Sequence, residues 1–372
     1  MLMRILVIIA FAVLAGSTVF ADNDSKPAIK VWVEGRADLI NQSSVTLPNL
    51  GNNPGGTPVT TNEQDFQFNR LRPNIGGNVT DNVSYRVRFN LDKPDAVNNR
   101  DNTPSLLEMA YVDDKMSDLF TLRVGKMAML YANGWESVYQ ASDVFTYSGA
   151  FNAYNDTFGY YRTGAEARFG FAGQEIMFNV TTPTLALTDS SGIDQTNYGL
   201  AYGLSYNGTF LDGMIQPIVS YTMFTSDGNV YAATPTSTVN NTLLAISARF
   251  VPITDLWIDL TYQNLVQPYQ QANSTGANSA TNTTIARVQY KYDKKFVPFV
   301  NYFTDVFTAA NTTTQFNDHC IEGGLWYYPY TDVNFRYELV YSSHITDWDP
   351  TAPTTTTTVS KIWAGVKFDF NI

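Results

Sequence analysis

The sequence predicts an all-β fold, a transmembrane antiparallel up-and-down β-barrel of about sixteen strands. Three observations carry this prediction. Apolar and polar residues alternate with a period of two from residue 29 to the last residue. Short turns interleave with long polar connections along the chain. Charged residues make up only 15% of the sequence while aromatics reach 14%, led by 23 Tyr and 23 Phe, whereas about a quarter of a typical soluble domain is charged.

The alternation is plainest in three segments. In the first, Ile29, Val31, Val33, Ala37 and Leu39 share one face, and Lys30, Trp32, Glu34, Arg36 and Asp38 share the other. In the second, Val83, Tyr85, Val87, Phe89 and Leu91 alternate with Ser84, Arg86, Arg88 and Asn90. Near the end, Val333, Phe335, Tyr337, Leu339 and Tyr341 alternate with Asn334, Arg336, Glu338 and Val340. Successive side chains of a strand point to opposite faces, so each segment offers one apolar and one polar wall.

A soluble sandwich alternates too, and the connections separate the two folds. Tight turns are expected at Thr80-Asp81-Asn82, Ser117-Asp118, Ala172-Gly173-Gln174, Asn207-Gly208, Thr254-Asp255, Asp293-Lys294 and Thr331-Asp332. Long loops are expected near 41–64, 92–103, 127–157, 184–196, 226–240, 267–282, 308–317 and 343–357. Short turns on one rim and long loops on the other mark an outer-membrane barrel. Both termini then fall on the short-turn rim.

Energy decides which wall meets lipid. Turned outward, Arg70, Arg72, Arg86 and Arg88 would each cost about 2–4 kcal/mol at the bilayer midplane. The ionic face therefore lines a wet interior. Tyr85, Tyr111, Tyr198, Tyr206, Tyr262, Tyr292, Tyr327 and Tyr341 are read as outward rings for the interfacial girdles. Eight strands would leave a lumen filled by side chains, whereas sixteen to eighteen leave an aqueous channel.

The first residues read as a secretory leader, domain 1–21. Arg4 gives a positive n-region, Ile5 to Ala15 a short apolar core, and Val19-Phe20-Ala21 a cleavage site. The apolar run is too short for a membrane helix. Residues 22–372 then form one barrel domain. The chain nets −11 at pH 7, with no basic block to neutralise phosphates, which argues against nucleic acid. The single cysteine, Cys320, excludes an internal disulfide and any Cys-based metal cluster; it reads as a small wall residue. His319 and His344 are the only histidines and sit in no recognisable catalytic or metal-binding setting. No cofactor is implied, and no enzyme.

The last segment, Lys361 to Ile372, keeps Ile362, Ala364, Val366, Phe368, Phe370 and Ile372 on one apolar face. It resembles the C-terminal strand of Gram-negative outer-membrane proteins, which in that class engages the barrel-assembly machinery and usually ends in Phe. A second resemblance covers roughly residues 65–165. Arg70-Leu71-Arg72-Pro73, Asp81 to Phe89, Ala110-Tyr111-Val112 and Leu122-Arg123-Val124-Gly125-Lys126 are similar to the early strands of phosphate-selective-type porins. The resemblance implies a sixteen-stranded, trimeric, water-filled channel in the outer membrane, with lipid around it and small hydrophilic solutes and ions passing through. Basic residues on the constriction loop of the phosphate members have no counterpart here, since residues 127–157 contain no Arg or Lys.

That connection is the longest in the chain and is rich in aromatics: Tyr131, Trp135, Tyr139, Phe145, Tyr147, Phe151 and Tyr154. Such length points to function or disorder, and such composition disfavours disorder. By position it is the third external loop, which in porins folds into the lumen. Its charges, Glu136, Asp143 and Asp156, are all acidic. The expected basic wall opposite comprises Arg36, Arg70, Arg72, Arg86, Arg88, Arg123, Lys361 and Lys367, with Lys30 beside them. Opposite charges across a narrow passage would set up a transverse field. A competing role for the arginines is to brace the wall through Glu34, Asp38 and Glu108. The function expected is passive diffusion of small solutes. A channel selective for an anion or a phosphate-like nutrient, and a structural, adhesive or enzymatic barrel, are the alternatives; bilayer conductance separates them.

Overall fold

The structure is a computed structural model that describes residues 29–47, 59–91, 106–139, 143, 145–182, 198–227, 238–268, 278–308, 315–330, 333–348 and 356–371. The expected leader, 1–21, lies outside the described residues. The chain forms β1 (Ile29–Leu47), β2 (Val59–Asn78), β3 (Val83–Phe89), β4 (Leu107–Lys115) and β5 (Phe120–Ala128). Two short helices follow, α1 (Trp135–Val138) and α2 (Gly149–Phe158). Then come β6 (Tyr161–Phe171), β7 (Gln174–Thr182), β8 (Tyr198–Gly208), β9 (Ile215–Asp227), β10 (Thr238–Phe250) and β11 (Leu256–Pro268). The last are β12 (Asn278–Tyr290), β13 (Phe296–Thr308), β14 (Gln315–Tyr327), β15 (Asn334–Trp348) and β16 (Thr356–Asn371).

The sixteen strands pair antiparallel with their sequence neighbours, and β1 closes the barrel on β16. Closure satisfies every strand's backbone laterally, which a sheet in hydrocarbon requires. The closing seam is long, from Trp32 opposite Asn371 to Leu47 opposite Thr356. Gly35 stands opposite Phe368 on its outer face, and a Cβ there would run into the Phe368 ring. The outward row is apolar and uncovered by protein: Leu39, Phe66, Val300 and Leu339 are all more than half exposed. A bilayer is the solvent that such a surface suits.

Two bulges set the phase of the basic wall. Between β1 and β2, Arg36 faces Arg70 while Ala37 faces Phe68, so Asn69 is the extra residue. The insertion lets Phe66 and Phe68 stay exposed while Arg70 and Arg72 turn inward. Between β3 and β4, Arg88 faces Met109 and Phe89 faces Leu107, which leaves Glu108 over. A bulge re-aims the side chain it carries, and this one directs Glu108 onto Arg72 and Arg88.

Several expectations are corrected. Tyr111 points inward, opposite Arg86, with the Arg123 guanidinium 3.9 Å from its ring centroid. The β8–β9 turn lies beyond Asn207-Gly208, at Leu211–Gly213, where Leu211 and Asp212 adopt left-handed backbone. Strands β1 and β2 also run further than expected, through Leu47 and from Val59. The β6–β7 turn, by contrast, falls where expected, at Ala172-Gly173, both with positive φ, the geometry whose twist matches a hairpin.

Candidate functional site: the lumen and its inner loop

The segment between β5 and β6 lies against the inner wall. An apolar cluster holds its two ends: Met127 of β5, then Met129 and Ala132, with Ala150 and Tyr154 of α2, pack on Ala201, Phe224, Leu243 and Leu265. These last four are inward positions of β8 to β11 at which alternation predicts polar residues. Trp135 of α1 donates through Nε1 to the Gln216 carbonyl at 3.1 Å, and the Arg249 guanidinium covers its ring at 3.8 Å. Gly134, with φ 63, precedes it; a side chain there would strike Ser247 on β10.

Glu136 is buried and fully engaged. Its Oε1 accepts from the Ser148 backbone N–H, and its Oε2 accepts from Ser148 Oγ and Gln263 Nε2, each at 2.8 Å. Burial pushes its carboxyl up to about 7, against the pull of the Ser148 and Gln263 hydrogen bonds. Ser148 also caps α2, its Oγ accepting from the Phe151 N–H at 3.2 Å. The next residue, Gly149, donates its N–H to Asp305 Oδ2 on β13 at 2.6 Å.

Asp143 anchors the middle of the segment on the far wall. Its Oδ1 lies 2.6 Å from Arg336 Nη2 on β15 and 2.9 Å from Lys367 Nζ on β16. Burial alone would raise its carboxyl, but the charges of Lys367 and Arg336 outweigh it and hold it well below the usual carboxylate range. Phe145, two residues on, packs against Phe299 and Trp363, and Arg36 stacks on it at 3.7 Å.

Glu136 and Asp143 thus do not stand across an open gap from free arginines. Glu136 faces Ser148 and Gln263, Asp143 is joined to the wall, and the Asp156 side chain lies outside those described. Of the expected basic residues, Arg36 is buried against Phe145 and paired to Asp38 at 2.7 Å and Glu338 at 3.3 Å. Lys367 belongs to the Asp143 contact, and Lys361 lies beside the Trp363 ring. Neither Arg36, Lys361 nor Lys367 lines the cavity in which the other arginines meet.

Arg70, Arg72, Arg86, Arg88 and Arg123 do come together. They line a cavity of about 390 Å³ with Glu34, Glu108 and Tyr111 on the wall side. The loop side of the same cavity is uncharged among the described residues: Tyr139, Tyr147, Phe151 and Tyr160, continued by Tyr161 at the start of β6. Burial holds the Tyr147 phenol at about 12, so it carries no charge at neutral pH. Part of the wall is braced as well: Arg72 and Arg88 share Glu108 at 2.8 and 2.9 Å, and Arg123 grips Asp113 at 2.6 and 2.7 Å.

The family model for phosphate-selective porin O and P matches residues 53–242, which is half of the chain, and spans β2 to β10. The chain belongs to the phosphate-selective porin O and P family. This porin shares its fold with OmpT of Vibrio cholerae, at a TM-score of 0.58 and 12% identity over 94% of this chain and 99% of that one. The channel DcaP of Acinetobacter baumannii matches with the same score and identity, over 94% and 100%. OmpF of Salmonella typhi gives 0.55 and 12%, over 91% and 97%. Among curated proteins none matches the porin in sequence. The porin is an outer-membrane channel for passive diffusion, and its family and fold point to a channel rather than an enzyme.

Sequence reasoning did not find the residues that hold the porin's loop: Arg249, Arg287, Gln263 and Asp305. Arg249 grips Asp259 at 2.6 and 2.8 Å and donates to Tyr139 Oη at 2.8 Å. Arg287 lies 4.2 Å from the Tyr139 ring. Their inward phase was legible from flanking apolar residues, but the loop they touch is more than 100 residues away. Cys320 is buried with Ile285 and Phe303. His344 has a carboxylate neighbour that alternation did not reveal, Asp318 at 2.7 Å. Among the described residues no three His, Cys, Asp or Glu side chains converge as for a metal.

Proposed function

We propose that solutes cross this porin through the slot between the arginines of β2, β3 and β5 and the tyrosine face of the inner loop, with a preference for anions. One observation carries the reading. Among the described residues, the slot is lined by five guanidiniums and two carboxylates, and the loop contributes no charge to it. Low-dielectric walls concentrate such a field and raise the local concentration of counter-ions. Glu136 and Asp143, spent on the loop's own attachment, leave this excess positive charge unbalanced. The measurement is the zero-current potential of the refolded chain in a planar bilayer under a KCl gradient. A potential of the sign for chloride preference is expected; a cation-selective potential would refute the slot as the path.

Three further features belong to the same reading. A trimer is supported by a V. cholerae OmpT structure described as a trimer form, and an unboiled gel tests it. Cleavage after Ala21 is supported by the leader pattern, and the mass of the mature N-terminus, expected at Asp22, tests it. Recognition by the barrel-assembly machinery through residues 361–372 is supported by the unbroken apolar alternation up to Phe370. Deleting the final strand should abolish insertion in cells.

A further inference from the structure

The slot has two unlike walls, and one guanidinium in it makes no ion pair among the described residues. Arg72 and Arg88 divide Glu108 between them, Arg123 is held by Asp113, and Arg86 leans on Glu34 at 3.4 Å. Among the described residues, Arg70 has no ion pair. It shares the cavity with Tyr147 and Tyr161. A planar guanidinium presents a fork of donors that matches a carboxylate edge, and here the fork is not already occupied.

The opposite wall is a run of rings in contact. Tyr147 and Phe151 stack with centroids 4.2 Å apart and planes 12° apart. Phe151 meets Tyr160 at 5.9 Å, and Tyr160 meets Tyr161 edge-on at 5.0 Å. Chloride or phosphate would satisfy only the arginine wall. A solute with a carboxylate on the rim of a flat ring would satisfy both walls at once, because aromatic faces attract aromatic edges and faces.

We propose that this slot contains a binding subsite for planar aromatic carboxylates, with Arg70 receiving the carboxylate and the Tyr147–Phe151 pair receiving the ring. The proposal rests on the reading of the slot as an anion path and adds the solute class that lingers there. A saturable site within a channel shows itself as a current that falls as the solute occupies the path.

The test uses the full mature chain in a planar bilayer, with sodium benzoate as the probe. Cyclohexanecarboxylate, equally charged but not planar, and inorganic phosphate serve as comparators. Half-block by benzoate is expected at a concentration about fivefold or more below that for either comparator. Arg70→Gln should raise the benzoate half-block concentration about tenfold by removing a charge-assisted fork. Tyr147→Leu should weaken benzoate and leave phosphate unchanged. Arg70→Lys, which keeps the charge, serves if the Gln variant does not assemble; it should retain chloride preference and still lose benzoate affinity. Equal block by benzoate and cyclohexanecarboxylate, or wild-type block in the Arg70 variants, would overturn the subsite. The KCl potential without benzoate is read on the same membranes. A chloride-preferring channel indifferent to ring planarity defeats the subsite alone, and a cation-preferring one defeats the path beneath it.

Discussion

Asp143 and Arg336, 193 positions apart in the chain, meet at 2.6 Å and fix the middle of the inner loop to β15. Lys367 completes the contact from β16 at 2.9 Å on the same oxygen. Removing one member of a buried ion pair leaves the others uncompensated and costs about 3–5 kcal/mol. Asp143→Asn is therefore expected to release the loop while the barrel persists. Single-channel records should show more frequent current fluctuation and a less uniform conductance. Quiet, wild-type records from the variant would show that the pair does not hold the loop.

The other loop acid gives a pH dependence of definite sign. Glu136 has its carboxyl raised by burial from 4.5 to about 7. Between those values the folded loop retains a proton that the unfolded chain has released, so attachment weakens as pH rises through this interval. The slope is at most about 1.4 kcal/mol per pH unit. The neutral acid loses nothing, since Ser148 Oγ can accept from it. Asp143 behaves oppositely: held low, it keeps its contribution above the ordinary carboxylate range and loses it only in strong acid. Protease susceptibility of the loop should thus rise from pH 5 to pH 8 in the wild type and stay level in Glu136→Gln. Parallel profiles for the two proteins would contradict this assignment.

Arg86 and Arg36 provide a contrast of position at constant chemistry. Arg86 is partly exposed in the slot and only weakly paired, whereas Arg36 is buried behind the loop, under Phe145. Arg86→Glu is expected to move the zero-current potential toward cations, with Arg88→Glu adding a smaller step because Arg88 is already paired. Arg36→Gln should leave the potential unchanged and lower resistance to denaturant by about 3 kcal/mol. The pair of measurements separates solute-facing charge from bracing charge.

At the closing seam, Gly35→Val should be damaging although it adds apolar area to a lipid-facing surface. Its side chain would occupy the space of the Phe368 ring, and overpacking of this kind costs about 1–3 kcal/mol. A lowered urea midpoint, partly restored by pairing the change with Phe368→Ala, is the expected outcome.

The barrel was legible in the sequence because each strand carries its own phase. Val83 to Leu91 states which residues face lipid without reference to any other segment. The phase of β4 was not legible: Met109, Ala110, Tyr111 and Val112 are apolar on both faces, and the extra residue Glu108 shifts the register by one. Tyr111 was therefore read outward although it stands beside Arg123. Where the loop rests was not legible either. Alternation has no means of linking Glu136 to Gln263, or Asp143 to Lys367, across 127 and 224 positions. The hint was present in Leu243 and Leu265, greasy side chains at positions that should meet water. Something dry had to cover them.

The loop rests on one side of the cylinder, from β8 round to β16, and leaves its opening beside β2 to β5. The doorway is thus eccentric, and the two halves of the inner circumference are free to vary under different constraints. Residues of the cradling half must keep their complementarity to a fixed lodger. Those of the doorway half answer to the traveller and to a few ion pairs along their own wall. A lineage of such channels can change its cargo by altering a few side chains on four adjacent strands, with no need to rebuild the plug that gives the aperture its width.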